Sequence, residues 1–259
     1  MREITPELAE LAGLFCADGC MQKGYICFWG NISEDRVYYK KVVSKLFEKA
    51  FNVKVRPHEK KSNSVYGFYV CNRRIINYFR SLGFNPGKKT FTVSVPKTIL
   101  ENKDRDIICA FLRGFMAGDG CLNFDKRWGK YQKILQIIHT YPRVFLSSVS
   151  KPLIKDIKNM LDRIGIKSFI YTNYNRRYKN FSTIYRIEIK GKERLELWAN
   201  KIGFRNFNHK TRYDVYKKFG FVPPNTTVNE RKEILKNEIS IWGYYPSWTR
   251  GLVDKAPAF

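Results

Sequence analysis

The apolar positions of the chain change period in a fixed order, and that order occurs twice. From Thr5 to Asp18 apolar residues recur at helical spacing, about 20 Å of helix. Thr5-Pro6-Glu7 opens it with an N-cap threonine, a proline at the first helical position and an acid in the first turn. Met21 to Trp29 then alternates and is rich in aromatic residues, as a strand would be. Gly30 to Asp35 breaks it, and Ser33 can cap a helix through Tyr38, Val42, Leu46 and Phe47 to about Ala50. Residues 53–58 and 65–71 predict a hairpin, and Arg73 to Ser81 a helix that stops at Leu82-Gly83-Phe84.

The second half repeats the order. A helix starts at Asp104 or Asp106 and runs to Asp119, followed by a basic loop containing Asp125-Lys126-Arg127-Trp128-Gly129. A strand around Tyr131 to His139 and a helix from about Val149 to Ile164 come next. Residues 167–172 and 183–190 predict the corresponding hairpin, and Glu193 to Lys201 a helix ending at Ile202-Gly203-Phe204. The unit in each half is αββαββα, an internal duplication in an α+β chain. The pattern divides the chain into residues 1–98, 99–221 and a C-terminal extension, 222–259, with a short charged helix at Asn229 to Lys236 and an aromatic tail.

The duplication is sharpest at the first helix of each half. Ala9, Gly13 and Ala17 fall four apart, and Ala110, Gly114 and Gly118 repeat that row 101 positions later. Interior glycine costs about 1 kcal/mol against alanine, so matched glycines need a packing reason. Two helices approaching closely along these stripes supply it. The small-xxx-small pattern is best attested in membranes, but no apolar run of about 18 to 20 residues is present to span one. Each helix ends in Asp-Gly, the glycine suited to a left-handed C-cap. Packing along the stripes brings Asp18 and Asp119 together at two negative helix ends, where their repulsion raises at least one pKa and a divalent cation resolves the conflict.

Composition adds a partner. Lys plus Arg outnumber Asp plus Glu by 48 to 23, a formal charge of +25, and so basic a chain expects a polyanion, nucleic acid first. The six cysteines (Cys16, Cys20, Cys27, Cys71, Cys109 and Cys121) show no paired C-x-x-C spacing, and His58, His139 and His209 are scattered, which argues against a zinc ribbon and for reduced thiols. The N-terminus carries early acids and no apolar signal stretch, so an intracellular, cytoplasmic (or organellar) protein is expected.

Leu11-Ala12-Gly13-Leu14-Phe15-Cys16-Ala17-Asp18-Gly19 and Leu112-Arg113-Gly114-Phe115-Met116-Ala117-Gly118-Asp119-Gly120 resemble the two signature motifs of single-chain LAGLIDADG homing endonucleases of the archaeal or organellar intron-encoded type. The departures, Cys16 and Ala117 at the family's earlier Asp, fall where that motif commonly varies. The resemblance extends to about Phe221. It implies paired helices at the interface of two halves (Ala9, Gly13, Ala110, Gly114) and two antiparallel sheets forming a DNA-binding saddle. It also implies metal binding at Asp18 and Asp119 with the adjoining Ala17 and Gly118, the metal being Mg²⁺ with Mn²⁺ as substitute. The implied activity is that of a monomer cutting both strands of a long asymmetric DNA site and promoting intron homing.

Lys89-Thr90 and Lys210-Thr211 occupy matching places after Gly83-Phe84 and Gly203-Phe204. The family sets a basic residue in each half near the metal, and Lys89 and Lys210 look like that pair. Gln22 and Gln132 are candidates for the polar residue that orients water. The plausible DNA contacts in the first half are Lys23, Tyr25, Arg56, Lys60, Lys61 and Tyr69. In the second half they are Lys126, Arg127, Lys133, Arg176, Arg177, Lys179 and Arg186, on ribbons that can enter a major groove. An alternative keeps the fold and changes the class, to an RNA-binding intron maturase or a non-cutting DNA-binding regulator. An intein nuclease is disfavoured, since the chain opens with Met1 and closes with Ala258-Phe259.

Overall fold

The structure, a computed structural model, describes residues 3–60, 62, 64–87, 89–131, 134–174 and 183–245. It is α+β, built from two four-stranded antiparallel sheets with a pair of central helices between their halves. Helix α1 (Pro6–Asp18) starts as expected, the Thr5 hydroxyl accepting from Leu8 N at 3.4 Å. Strands β1 (Gly19–Met21), β2 (Ile26–Asn31), β3 (His58–Lys60) and β4 (Val65–Val70) pair in the order β1-β2-β4-β3. Between β2 and β3 lies one bent helix, α2 (Arg36–Tyr38) running through a π-helical turn (Tyr39–Val43) into α3 (Ser44–Phe51). Helix α4 (Arg73–Ser81) closes the half, capped by Asn72.

A short helix, α5 (Lys97–Leu100), leads into α6 (Arg105–Asp119), capped by Asp104. Strands β5 (Gly120–Tyr131), β6 (Ile134–Ser148), β7 (Phe169–Tyr174) and β8 (Thr183–Lys190) repeat the first topology as β5-β6-β8-β7. Helix α7 (Lys151–Arg163) lies between β6 and β7, and α8 (Lys192–Lys201) follows β8. Helices α9 (Phe207–Phe219) and α10 (Val228–Lys236) complete the described chain with a 3-10 turn at Ile241–Tyr244. Among the described residues no helix is long and apolar enough to cross a membrane.

Several expectations are corrected. The single strand at 21–29 is a hairpin, closed where Gln22 N donates to Tyr25 O at 2.8 Å around Lys23-Gly24. The expected basic loop at 125–129 belongs to β5, whose register shifts between Asp125 and Lys126. Local polarity hid a strand that is held by its partner and bends at the bulge. Strand β3 is confined to His58–Lys60, and Lys210-Thr211 lies within a helix, α9. Gly19 and Gly120 are not left-handed: their φ, ψ values of −81°, 152° and −93°, 161° are extended, because each helix passes straight into a strand. Glycine serves space there, since a β-carbon would lie 2.2 Å from the Phe15 ring at Gly19 and 2.3 Å from Met116 Sδ at Gly120.

The halves fill their cores differently. In the first, Phe15 meets Phe28, Phe79 and Phe84 with ring centroids 5.3, 4.7 and 4.7 Å away. In the second, branched residues such as Leu122, Val144, Leu146, Ile187 and Ile189 of the sheet and Leu153, Ile157 and Leu161 of α7 are buried. The C-terminal extension packs on the second half, with Phe221 and Trp242 rings 4.9 Å apart. Arg231, fully buried, pins α10 to α9 through Thr211 Oγ1 (2.9 Å), Asn208 Oδ1 (2.7 Å) and Thr226 O.

The α1–α6 contact has no room for a methyl group. A β-carbon at Gly13 would stand 2.1 Å from the Phe111 carbonyl oxygen, and one at Gly114 would stand 1.9 Å from that of Glu10. Both obstacles are backbone, which cannot rotate away. Gly114→Ala is therefore expected to lose roughly 2–3 kcal/mol of stability by overpacking, despite alanine's better helix propensity. Urea denaturation of the two proteins tests it, and an unchanged or higher midpoint would contradict the close packing.

Candidate catalytic centre at the paired helix ends

The glycine contact fixes where the two helices end. A β-carbon at Gly118 would meet Ala17 Cβ at 2.6 Å and the Asp18 carboxyl carbon at 3.0 Å, so the last turns of α1 and α6 touch. Neither last turn contains a basic residue. Two carboxylates thus stand together at two negative helix ends. Asp18 is pushed up to about 8, first by burial, then by the charges of Asp119 and Asp35. The Tyr39 hydroxyl, presented by the π-helical turn, donates to Asp18 Oδ2 at 3.4 Å and opposes that shift. Asp119 is raised to about 6, again first by desolvation, with Lys89 opposing. Asp119 is the more exposed of the two residues, which fits its smaller displacement.

Lys89 comes from the segment between the halves. Its ammonium donates to the carbonyl of Cys16 and, at 3.4 Å, to that of Ala17, neutralising the C-terminus of α1. Desolvation lowers its pKa, against the pull of Asp119 and Asp18. Gln22, exposed just past β1, lines one recess together with Asp18, Asp119, Lys89, Thr90 and Ser147. A second recess, on the other side of the helix pair, is lined by Asp18, Glu34, Asp35, Asn206, His209 and Arg212.

Lys210 lies elsewhere. It is exposed on α9, bound at 2.7 Å to Asp214 one turn on, and Thr211 is buried against Arg231. The residue that takes the expected place is Asn206, whose Nδ2 donates to Ala117 O at 2.9 Å and to Asp35 Oδ1 at 2.7 Å. Cys16 and Ala117 are equivalent in the repeat, so Asn206 answers Lys89. The sequence match failed because Asn206 caps a helix, and its first turn carries Lys210 to the outer face. His209 is buried on the inner face, with its pKa lowered to about 4 chiefly by desolvation. Gln132 lies outside the described residues. Asn123 stands at the register of Gln22, its amide bound to Asp125 at 3.2 Å.

The donor set suits a hard divalent ion. Asp18 and Asp119 offer carboxylate oxygens destabilised by burial, Asp18 also by the charge of Asp119, and the neighbouring Ala17 and Gly118 offer backbone carbonyls. Among the described residues no cluster of three or more His, Cys, Asp or Glu forms a closed metal cage. Two carboxylates match an ion that keeps waters for substrate oxygens.

The outward face of the first sheet is aromatic: Tyr25 and Tyr69 are 40% and 57% exposed, and the Trp29 and His58 rings meet at 5.3 Å. Lys60 ends β3 on that face, Lys23 sits in the β1–β2 turn, and Arg56 is exposed before β3. On the second sheet Lys126 and Arg127 are exposed on β5, and Arg186 donates to Ser147 Oγ at 3.2 Å while lying 5.0 Å from the Phe145 ring centroid. Lys61, Lys133, Arg176, Arg177 and Lys179 fall outside the described residues. Arg143 was missed. It bonds Asp125 at 2.7 Å and Glu188, and alternation of Tyr141, Arg143, Phe145 and Ser147 through Pro142 was the signal.

Residues 106–203 match the LAGLIDADG-like domain family, and the chain has the fold of the LAGLIDADG endonucleases of known structure. The structure of the homing endonuclease I-DmoI in complex with DNA and Mn is similar with a TM-score of 0.50 at 18% identity, over 76% of this chain and 96% of that one. The I-LtrWI LAGLIDADG homing endonuclease bound to target DNA gives 0.52 at 12% identity, over 96% of each chain. At these identities the likeness concerns the fold. In sequence, the chain is 27% identical over 212 residues to the replicative DNA helicase DnaB of Rhodothermus marinus, covering 77% of this chain and 21% of the helicase. It spans between 11% and 21% of the curated relatives it matches.

The raised Asp18 pKa makes stability depend on pH. The folded chain holds a proton that the unfolded chain releases near 3.8, so metal-free stability falls as pH rises toward 8. The contribution is at most about 1.4 kcal/mol per pH unit. Between pH 7 and 8, above the range where His209 titrates, the wild type in EDTA should lose stability relative to Asp18→Asn, and Mg²⁺ should restore it. Parallel stability curves for the two proteins would show that Asp18 is not destabilised.

Proposed function

We propose that the chain is a divalent-metal-dependent DNA endonuclease that binds a long asymmetric duplex as a monomer and breaks both strands by phosphodiester hydrolysis. The observation that carries this reading is the convergence of Asp18 and Asp119 at the touching helix ends, with Lys89 beside them and a sheet face on either side. The charge of +25 fits a polyanionic substrate. Similarity to homing endonucleases whose structures contain target DNA, in one case with Mn, supports the same substrate class.

Asp18 and Asp119, with the carbonyls of Ala17 and Gly118, would hold Mg²⁺ or Mn²⁺. Such an ion supplies Lewis acidity toward phosphate oxygens and lowers the pKa of water. The chain's own groups do the rest. The Tyr39 hydroxyl holds the Asp18 carboxylate in place. The Lys89 ammonium, fixed at the end of α1, stabilises charge that develops on a phosphate in its recess. The Gln22 amide, its Nε2 donating to Cys20 Sγ at 3.5 Å, orients a water at the rim through its carbonyl oxygen. The sheet faces position the duplex, the first through aromatic and apolar surface and the second through Arg143, Arg186, Lys126 and Arg127. Cleavage of an intron-free allele inside the cell, promoting intron homing, is the biological role we assign.

The test is cleavage of a plasmid library of candidate sites with Mg²⁺, comparing the wild type with Asp18→Asn and Asp119→Asn. Linear product is expected from the wild type, and a loss of at least about 100-fold from each variant, with duplex binding retained. A wild type that binds one site tightly and cuts it with neither Mg²⁺ nor Mn²⁺ would turn the reading to a non-cutting regulator or an RNA-binding maturase.

A further inference from the structure

The register of the β1–β2 hairpin sets Cys20 directly opposite Cys27. Ile26 and Phe28, on either side of Cys27, are buried in the core, so alternation puts both thiols on the outward face of the sheet. The two side chains are in hydrogen-bonding contact. Gln22 N donates to Tyr25 O, so alternation along the ladder makes Cys20 and Cys27 a hydrogen-bonded pair, with Cα atoms about 5.5 Å apart. That separation lies within the range of about 4.4–6.8 Å that a disulfide spans. All six cysteines are free, and the other four are placed differently. Cys71 follows β4 diagonally from Cys27, a spacing of about 7–8 Å that a disulfide does not bridge without backbone movement. Cys16 and Cys109 are buried on the paired helices, and Cys121, which repeats Cys20 in the second half, has Phe145 opposite it.

The pair stands beside the centre. Cys20 lines the same recess as Asp18, Asp119 and Lys89 and accepts from Gln22 Nε2 at 3.5 Å. It is half-buried, whereas Cys27 is 5% exposed, so a reagent from solvent meets Cys20 first. We propose that Cys20 and Cys27 are a redox-active dithiol that closes to a disulfide and silences the centre beside it, the oxidant being a low-molecular-weight disulfide. The Cys20 thiolate attacks one sulfur of that reagent, which forms a mixed disulfide and releases the first small thiol. The Cys27 sulfur then attacks Cys20 Sγ and releases the second. The protons of Cys20 and Cys27 pass to the two departing thiolates, so one external disulfide is reduced as the two thiols are oxidised. Closing the bond draws the sulfurs to about 2.05 Å, and β1 has little slack to absorb the movement. Helix α1 enters it through the extended Gly19 with no loop, and Gly87 N holds Met21 O at 3.2 Å on the other edge. The displacement therefore reaches Asp18, and Gln22 loses its thiol partner. A misplacement of about 1 Å can cost about 10²-fold in rate. The silencing rests on the endonuclease reading above; the bond itself does not.

The full chain is treated with oxidised glutathione and then with dithiothreitol, and each sample is alkylated, digested with trypsin and read by mass spectrometry. Lys23 lies between the two cysteines, so their peptides stay joined only through the disulfide. Joined peptides are expected from the oxidised wild type, and Cys27→Ser should leave glutathione trapped on Cys20. Cleavage of the duplex recovered from the plasmid library should fall about tenfold or more on oxidation and return with dithiothreitol. Oxidised Cys20→Ala, whose exposed Cys71 and Cys121 stay open to the reagent, should cut as fast as its own reduced form. Glutathione on wild-type Cys20 without joined peptides would overturn the dithiol. Joined peptides with unchanged cleavage, or an equal loss in Cys20→Ala, would overturn the silencing and leave the endonuclease reading intact. A reduced wild type that binds duplex and cuts it with neither Mg²⁺ nor Mn²⁺ would overturn that reading and the silencing with it, while the joined peptides alone decide the bond.

Discussion

The contact between α1 and α6 at Gly13 and Gly114 is the constraint on which the molecule depends. Backbone meets backbone there, and the geometry admits nothing larger than hydrogen on either side. Because the stripe continues to Ala17 and Gly118, the same contact forces two carboxylates together one turn further on. Burial raises both pKa values, and the charge of Asp119 raises that of Asp18 further, so the packing that stabilises the halves stores unfavourable electrostatics at their end. Such conflict between stability and local chemistry is what a functional site would impose.

The interface also carries a device that distinguishes one helix from the other. Glu10 is buried on α1 and receives Arg113 of α6 at 3.0 Å and Arg205 at 3.2 Å. Position 113 corresponds to Ala12 in the first helix, so the charges have no counterpart in the repeat. Desolvation still raises the Glu10 pKa above its ordinary value despite both guanidinium groups. A buried pair of this kind adds little net stability and is better understood as fixing which surfaces meet.

Duplication of the backbone leaves the two sides free to diverge. The first half fills its core with phenylalanine rings and the second with branched residues, while strand order is preserved. The C-terminal extension bears on the site indirectly. Arg231 is buried among neutral oxygens of Asn208, Thr211 and Thr226, which ties α10 to the first turn of α9. That turn carries Asn206 and His209 into the second recess, so the extension holds the wall whose chemistry differs from that of the Lys89 side.

The repeat, the αββαββα order, the helix caps at Thr5 and Asp104, and the pairing of Asp18 with Asp119 follow from the sequence, because spacing and local hydrogen-bond chemistry are written residue by residue, whereas the cap expected at Ser33 falls at Asp35. The stripe of small residues is likewise a local pattern with one packing solution. Tertiary structure decided the rest. Strand β5 through its polar residues 125–129 exists because β6 pairs with it, and no local period records a partner's hydrogen bonds. The extended Gly19 and Gly120 answer to a strand that begins immediately after each helix. Most of all, the exchange of Lys210 for Asn206 turned on the cap of a helix: one rotation about its axis sends lysine to solvent and brings a neutral amide to the carbonyl of Ala117. Matching letters in two halves of a chain fix composition, whereas which of them reaches the centre depends on the direction of the backbone beneath.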